Sequence, residues 1–378
     1  MPLYLNEEQS LLLESARSFV AENAPVAHRR ELRDSGDLSG FSRELWHQFA
    51  GMGFNGVLAH ESMGGLALGH VEAGIILEQI GRNLTSSPFL STAVGAVTAL
   101  KAASPTNVAR WVPGIVEGET VAALAIDETP RHQPTRIMLR AERADSGFRL
   151  TGHKCFVLHG HSADLLIVAA RTAAHADPTR GLTLFAVPAH AAGLGHTVER
   201  LADASLASRM SFEDVAVDAD AIIGELDGGW EVLRKVLAAV RTGAAAELLG
   251  VGTATLDMTV NYLKTRHQFD RPIGAFQALQ HRAAHLYAEL EVARAAILKA
   301  QILLDAGDPT WEYAAPVAKA MTGMAVSLAV QEGVQLHGGV GMTDEYDIGL
   351  YMKRARVLQE TFGDADFHTD QLARMTGY

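Results

Sequence analysis

Between Leu279 and Leu304 the apolar positions Leu279, Ala283, Leu286, Leu290, Ala293, Ile297, Ala300 and Leu304 alternate steps of four and three. An α-helix turns once in 3.6 residues, so this spacing lays one apolar stripe along about seven turns. A stripe of that length is stable in water only when covered by other long helices, which points to a helical bundle. The segment from about Gly229 to Thr265 supplies a second stripe: Leu233, Leu237, Val240, Ala244, Glu247, Val251, Ala254 and Met258. One carboxylate, Glu247, interrupts it.

The rest of the chain changes texture twice. Near the N-terminus, Asn6 with Gln9 three residues later predicts a capping box, followed by Leu12, Ala16, Phe19 and Val20 at helical spacing. Ser42 opens a second helix carrying Leu45, Trp46 and Phe49, and Val71–Ile80 a third, with Gly81 as its C-cap. Short apolar runs then replace the helical period at Val121–Ile126, Phe148–Leu150, Leu165–Ala169, Leu182–Val187 and Met210–Val217. Asp145-Ser146-Gly147 and Thr151-Gly152-His153 read as the turns between strands. The expected class is α+β, mainly α, in three parts. These are an N-terminal helical domain (1–118), a middle antiparallel β domain (119–225) and a C-terminal four-helix bundle (226–378).

Composition narrows the function. A formal net charge of −12, with sixteen histidines left neutral, argues against a nucleic-acid partner. Cys155 is the only cysteine, so no intrachain disulfide forms, and a reducing, cytoplasmic setting is expected, with Cys155 as a buried structural thiol. The segment Met1–Glu8 lacks the basic and apolar regions of a signal peptide. No uninterrupted apolar run reaches the 18–20 or so residues that cross a bilayer, so membrane insertion is not expected.

Two segments in the last third are more specific. One is Arg266-His267-Gln268-Phe269-Asp270-Arg271-Pro272-Ile273-Gly274-Ala275-Phe276-Gln277; the other is Gln335-Leu336-His337-Gly338-Gly339-Val340-Gly341, running on to Glu345-Tyr346. With the helix–strand–helix order, they make the whole chain resemble the acyl-CoA dehydrogenase family. The resemblance implies FAD as cofactor, an acyl-CoA thioester as substrate, an electron-transfer flavoprotein or similar acceptor, and a homo-oligomer or a heteromer with a related subunit. It also implies that Arg266, Gln268, Phe269, Gln277, Gln335, Gly338 and Gly339 reach the FAD of a neighbouring subunit. The residue types suit that task. An arginine offers a planar charged fork for a pyrophosphate, a glutamine amide donates and accepts, and glycines admit close backbone approach.

The family's reaction removes the proton next to the thioester carbonyl while the β-hydrogen leaves as hydride, which requires a carboxylate base. Where many members have that glutamate, this chain has Phe362, in Thr361-Phe362-Gly363-Asp364. At a second family position it has Val240-Arg241. Glu247 is then the candidate base, since an apolar face desolvates a carboxylate and raises its pKa, and Arg241 the candidate thioester-side residue. The alternative for Glu247 is a structural carboxylate paired with an arginine or turned outward. For Arg241 it is a surface salt bridge. Asp364 and Asp366 are weaker candidates near the lost position, and Glu360 should face away.

The β domain departs too. The family's Thr-Glu-Pro-x-x-Gly-Ser-Asp loop is here Asp127-Glu128-Thr129-Pro130-Arg131-His132-Gln133-Pro134, which keeps Glu128 alone of its polar set. Phe156-Val157-Leu158 replaces Trp-Ile-Thr, leaving Phe156 to stack on the flavin and Leu158 to offer only its backbone amide. The expected function is FAD-dependent α,β-desaturation of an acyl-CoA. The alternative is a catalytically incomplete partner subunit, resembling those of bacterial heteromeric enzymes, that completes a neighbour's FAD site.

Overall fold

A computed structural model describes residues 3–378; Met1 and Pro2 of the N-terminal segment lie outside the described residues. The chain opens with helices α1 (Glu7–Asn23), α2 (Val26–Ser35), α3 (Arg43–Gly51), α4 (His70–Arg82), α5 (Val97–Leu100) and α6 (Pro105–Val116). Strands β1 (Ala122–Ala125), β2 (Arg140–Ala144), β3 (Gly147–Leu158), β4 (Leu165–Arg171), β5 (Leu182–Pro188), β6 (Leu194–Arg200), β7 (Leu206–Asp218) and β8 (Ile222–Ile223) follow. The long helix α7 (Trp230–Thr265) leads through the two-residue strands β9 (His267–Gln268) and β10 (Arg271–Pro272) to α8 (Gln277–Asp305), α9 (Trp311–His337), α10 (Ile348–Glu360) and α11 (Ala365–Met375). This is the expected mainly helical α+β class.

Packing divides the chain differently from texture. One compact unit gathers residues 3–34, His70–Thr85 and Arg241–Tyr378; the other gathers Ser35–Gly69 and Ser86–Val240. The division falls inside α7.

In the first unit, α9 packs against α8, α10 and α11, and α4 against α1 and α8. The stripe on α8 does what its spacing predicts, with Leu286, Leu290, Ala293, Ile297 and Ala300 buried. Three helices converge at Gly252 of α7, where an added Cβ would meet Leu290 of α8 and Val326 of α9, each at 2.8 Å. The capping box forms as expected: Asn6 Oδ1 accepts from Gln9 N at 2.8 Å and Gln9 Oε1 from Asn6 N at 3.0 Å. Gly81 does not end its helix. It lies inside α4, at the crossing with α7, where a Cβ would run into the Glu247 carbonyl oxygen. The crossing is reciprocal, because a Cβ on Gly250 of α7 would run into Glu78 O of α4.

In the second unit, Ser42 caps α3 by accepting from Leu45 N, and Leu45, Trp46 and Phe49 are buried. The sheet has the order β6-β7-β3-β2-β4-β5-β8, with β1 also paired to β4. It is antiparallel except for β1 and β2, which run parallel to β4. The purely antiparallel expectation fails here because the apolar run of β1 carries no sign of its direction, and β2, with Arg140-Ala141-Glu142-Arg143, has no apolar run at all, as β6 (Leu194–Arg200) has none. Thr151-Gly152-His153 is not a turn. β3 runs straight through it, with an irregularity beside Gly152, whose φ of 147° and crowded approach to Leu139 suit a residue without a side chain.

By length and composition α7 and the helical run Trp311–Met342 that contains α9 would each pass for a membrane span, although charged residues interrupt both. Their apolar windows are 94% and 61% buried inside the protein, as core helices are.

Candidate active site

The candidate residues fall into three groups. The first surrounds Glu247 in the first unit. Glu247 is buried, at 3% exposure, and is not alone on its face: Arg354 of α10 donates from Nε at 3.0 Å and Nη2 at 2.5 Å. Both bonds end on Oε1, and Oε2 accepts neither. A carboxylate this deep requires such a partner, since desolvating an unpaired charge costs far more than a fold can spare. Leu358 follows Arg354 by four positions, and its carbonyl begins the next contact.

That contact is Lys319 of α9. Its side chain is fully buried, and Nζ donates to the carbonyl oxygens of Leu358, Gln359 and Gly363, each at 3.0 Å. One ammonium thus satisfies three carbonyls at the end of α10, where a helix leaves its last C=O groups without partners. Burial, followed by the nearby charge of Arg241, lowers its pKa to about 7, while Asp364 and Glu360 pull the other way.

The turn so held is the segment where the family glutamate is missing. Phe362 has φ 58°, a left-handed conformation that side-chain-bearing residues seldom adopt. Arg241 Nε donates to Phe362 O at 3.2 Å and its guanidinium lies 5.5 Å from the Phe367 ring centroid. At 6% exposure Arg241 is no surface salt bridge. Six residues on one helix place Arg241 and Glu247 about 120° apart around the axis; each nonetheless reaches α10 or the turn after it. The acidic neighbours are engaged elsewhere. Asp364 caps α11 by accepting from Phe367 N at 2.8 Å, Asp366 is exposed in its first turn, and Glu360 faces outward to Arg356.

The second group lies on the surface of the same unit. Arg266, Gln268, Phe269, Gln277, Gln335, Gly338 and Gly339 are all exposed. Strands β9 and β10 form a hairpin whose two loop residues, Phe269 and Asp270, both have positive φ, 55° and 60°, the pattern of a type I′ turn. Phe269 is 82% exposed at its tip. Phe276 props the hairpin from behind, edge-on to Phe269 at 6.0 Å and 4.2 Å from the Arg271 guanidinium. Among the described residues no carboxylate pairs with Arg266. Gly338 has φ 64° and ψ −141°, a glycine conformation. Gly339 has no such need, and a Cβ there would meet nothing of this chain within 4 Å. An uncommitted guanidinium, exposed amides and a glycine that intrachain packing does not require suit a phosphate-bearing ligand brought from outside the chain, as FAD held across a subunit boundary would be.

These two segments are distant in sequence and are joined by three aromatic rings. Tyr262 of α7 lies 4.6 Å, centroid to centroid, from His337 at the end of α9, and His337 lies 4.8 Å from Tyr346.

The third group is in the other unit. Phe156 and Leu158 are half-buried on β3, where Phe156 takes φ 52° at a bulge between Lys154 and Val157. Behind them Glu128 is committed to the fold: Oε2 accepts from Met138 N at 2.7 Å, and Oε1 from Leu139 N at 2.9 Å and Lys154 Nζ at 2.7 Å. Lys154, fully buried, has its pKa lowered by desolvation. His132 Nδ1 pairs with Asp127 at 2.8 Å, which closes the remainder of the rewritten loop on itself. Cys155 is buried, and desolvation raises its thiol pKa, as an inert structural cysteine requires.

Comparison with known proteins bears on all three groups. The acyl-CoA dehydrogenase N-terminal, middle and C-terminal domain models match residues 6–119, 131–215 and 227–376. The acyl-CoA dehydrogenase FadE12 of Mycobacterium tuberculosis is 31% identical over 93% of this chain and 91% of its own. Among solved structures, a chain of the ChsE4–ChsE5 complex from Mycobacterium tuberculosis is 27% identical, with a TM-score of 0.90 and 100% of both chains covered. Butyryl-CoA dehydrogenase from Megasphaera elsdenii shares the fold, with a TM-score of 0.90 at 23% identity over 100% of both chains. This chain therefore belongs to the acyl-CoA dehydrogenase family, a family of flavoproteins whose cofactor is FAD.

Proposed function

We propose that this chain catalyses α,β-desaturation of an acyl-CoA thioester, with Glu247 as the base and an electron-transfer flavoprotein or a similar protein as the electron acceptor. The observation that carries this reading is a buried carboxylate on α7 held through only one of its oxygens. Arg354 orients Glu247 through Oε1 and leaves Oε2 to take the α-proton. Arg241, fixed to the turn at Phe362, stands on the thioester side. Arg266, Gln268, Phe269, Gln277, Gln335, Gly338 and Gly339 would hold the FAD of a neighbouring subunit, and Phe156 and Leu158 would face the subunit's own. When bound, FAD supplies the acceptor for the β-hydrogen that leaves as hydride. Replacing Glu247 with Gln keeps size and polarity but removes the base. Anaerobic addition of a panel of acyl-CoAs should then no longer bleach the flavin absorbance. Bleaching at the wild-type rate would overturn the assignment.

A second reading is favoured by the loop between β1 and β2. Glu128 is committed to three intrachain partners, and the Asp127–His132 pair closes the loop that follows. On this reading the chain completes a neighbour's FAD site within a heteromer and lacks one of its own. Protein purified alone decides between them: about one FAD per chain supports the first reading, and a colourless chain that turns yellow only on co-expression with a related subunit supports the second.

A further inference from the structure

His337 is 2% exposed, and its hydrogen bonds fix its tautomer. Nδ1 faces Gly333 O at 2.7 Å; a carbonyl only accepts, so Nδ1 carries the proton. Nε2 is therefore the acceptor, and the hydroxyl of Tyr346 donates to it at 3.2 Å. Desolvation lowers the pKa of this imidazole, which favours the neutral ring that the pattern requires. The two tyrosines lie 6.4 Å apart, so the three rings form a closed triangle rather than a linear stack.

Each corner belongs to a different segment. Tyr262 is one turn before Arg266, and Arg266 N donates to Tyr262 O at 2.8 Å. His337 directly precedes Gly338-Gly339. Tyr346 begins the return into α10, one residue before Asp347, which accepts from Arg30 of α2. The triangle thus ties the base of the Arg266 hairpin to the glycine turn at the end of α9. Both are solvent-exposed segments that would otherwise move independently.

We propose that Tyr262, His337 and Tyr346 act as positioning residues that lock the Arg266 hairpin and the Gly338-Gly339 turn into one cofactor-contacting edge. This rests on the reading above that the edge contacts FAD. A ligand spanning two segments binds more tightly when their separation is set beforehand, because binding then loses less conformational freedom. None of the three residues needs to touch the cofactor.

The test is Tyr346→Phe, which removes one hydroxyl and keeps the ring, with His337→Leu as a stronger second variant. FAD affinity is measured by recovery of flavin fluorescence on release, and apoprotein hydrogen exchange is followed by mass spectrometry. Tyr346→Phe is expected to weaken FAD binding about 2- to 12-fold, the fold-change equivalent to one lost hydrogen bond, with a modest fall in the thermal midpoint. Exchange should accelerate together in 262–276 and 338–346. Unchanged affinity, with faster exchange confined to the residues around 346, would overturn the proposal and leave the cofactor reading intact. A wild-type oligomer that binds no FAD at this edge would instead overturn the cofactor reading. The joint exchange of the two segments would then still support or refute the lock itself.

Discussion

Arg354 meets Glu247 through a single carboxylate oxygen, and the pair lies at the crossing of α7 with α10. Two roles are combined in it, a counter-charge for a buried anion and a brace for its orientation. Arg354→Gln removes both. Breaking a buried pair from one side costs about 3–5 kcal/mol, because the remaining charge is stranded. Denaturant unfolding should show a loss of that order, and kcat should fall at least about tenfold. The double variant Glu247→Gln with Arg354→Gln should regain much of the stability and remain inactive. A double variant that turns over normally would leave Glu247 with a structural role only.

Gly81 lets α4 approach the backbone of Glu247. Gly81→Ala places a methyl against that carbonyl, where no flexible side chain can move aside. Overpacking of this kind costs about 1–3 kcal/mol, and the strain falls on the residue proposed as base. We expect a lower thermal midpoint together with a reduced kcat at nearly unchanged KM. Gly36→Ala, at a position with open space around it but φ 67°, should affect stability alone.

The Glu128–Lys154 pair is the most deeply buried ion pair of the β-sheet unit, with side-chain exposures of 3% and 0%. Glu128→Gln strands the Lys154 ammonium and weakens two bonds to the 138–139 backbone. About 3–5 kcal/mol should be lost. Exchange of residues 137–140 should rise before that of the distant β6–β7 ladder, a local pattern that mass spectrometry reads directly.

Lys319 offers a pH test. Its folded-state pKa, about 7, lies below the 10.5 of an unperturbed lysine, so between these values the unfolded chain binds the proton more tightly. Stability should therefore rise with pH across that window. Lys319→Met abolishes this dependence and, by leaving those carbonyls without donors, costs about 1–3 kcal/mol at pH 7. Parallel pH-dependence curves for the two proteins would refute the assignment.

Much of this was legible in the sequence. The four–three spacing on α8 gave a buried face, the Asn6 and Ser42 caps formed as read, and five apolar runs became strands. Glu247 could be singled out because one carboxylate on an apolar stripe stands out. Arg354 could not, because it sits among Lys353 and Arg356 and only the fold turns one of the three basic residues inward. Lys319 carried a signal that went unused, a lone cation within Ala318-Lys319-Ala320-Met321. Gly81 and Gly152 were misread for one reason: a glycine reports that a side chain is unwelcome, and sequence alone does not say whether a turn or a neighbouring backbone excludes it. β2 and β6 stayed hidden because solvated strands need no apolar period.

Gly339 has a further consequence for how substitutions at this position would be tolerated. Folding of the isolated chain has no use for its missing side chain, since a methyl there would stand in open space. Any constraint at position 339 must come from whatever docks against that edge. A library sorted only for expression or heat resistance would accept alanine there, and would not register its effect on a ligand docked at that edge.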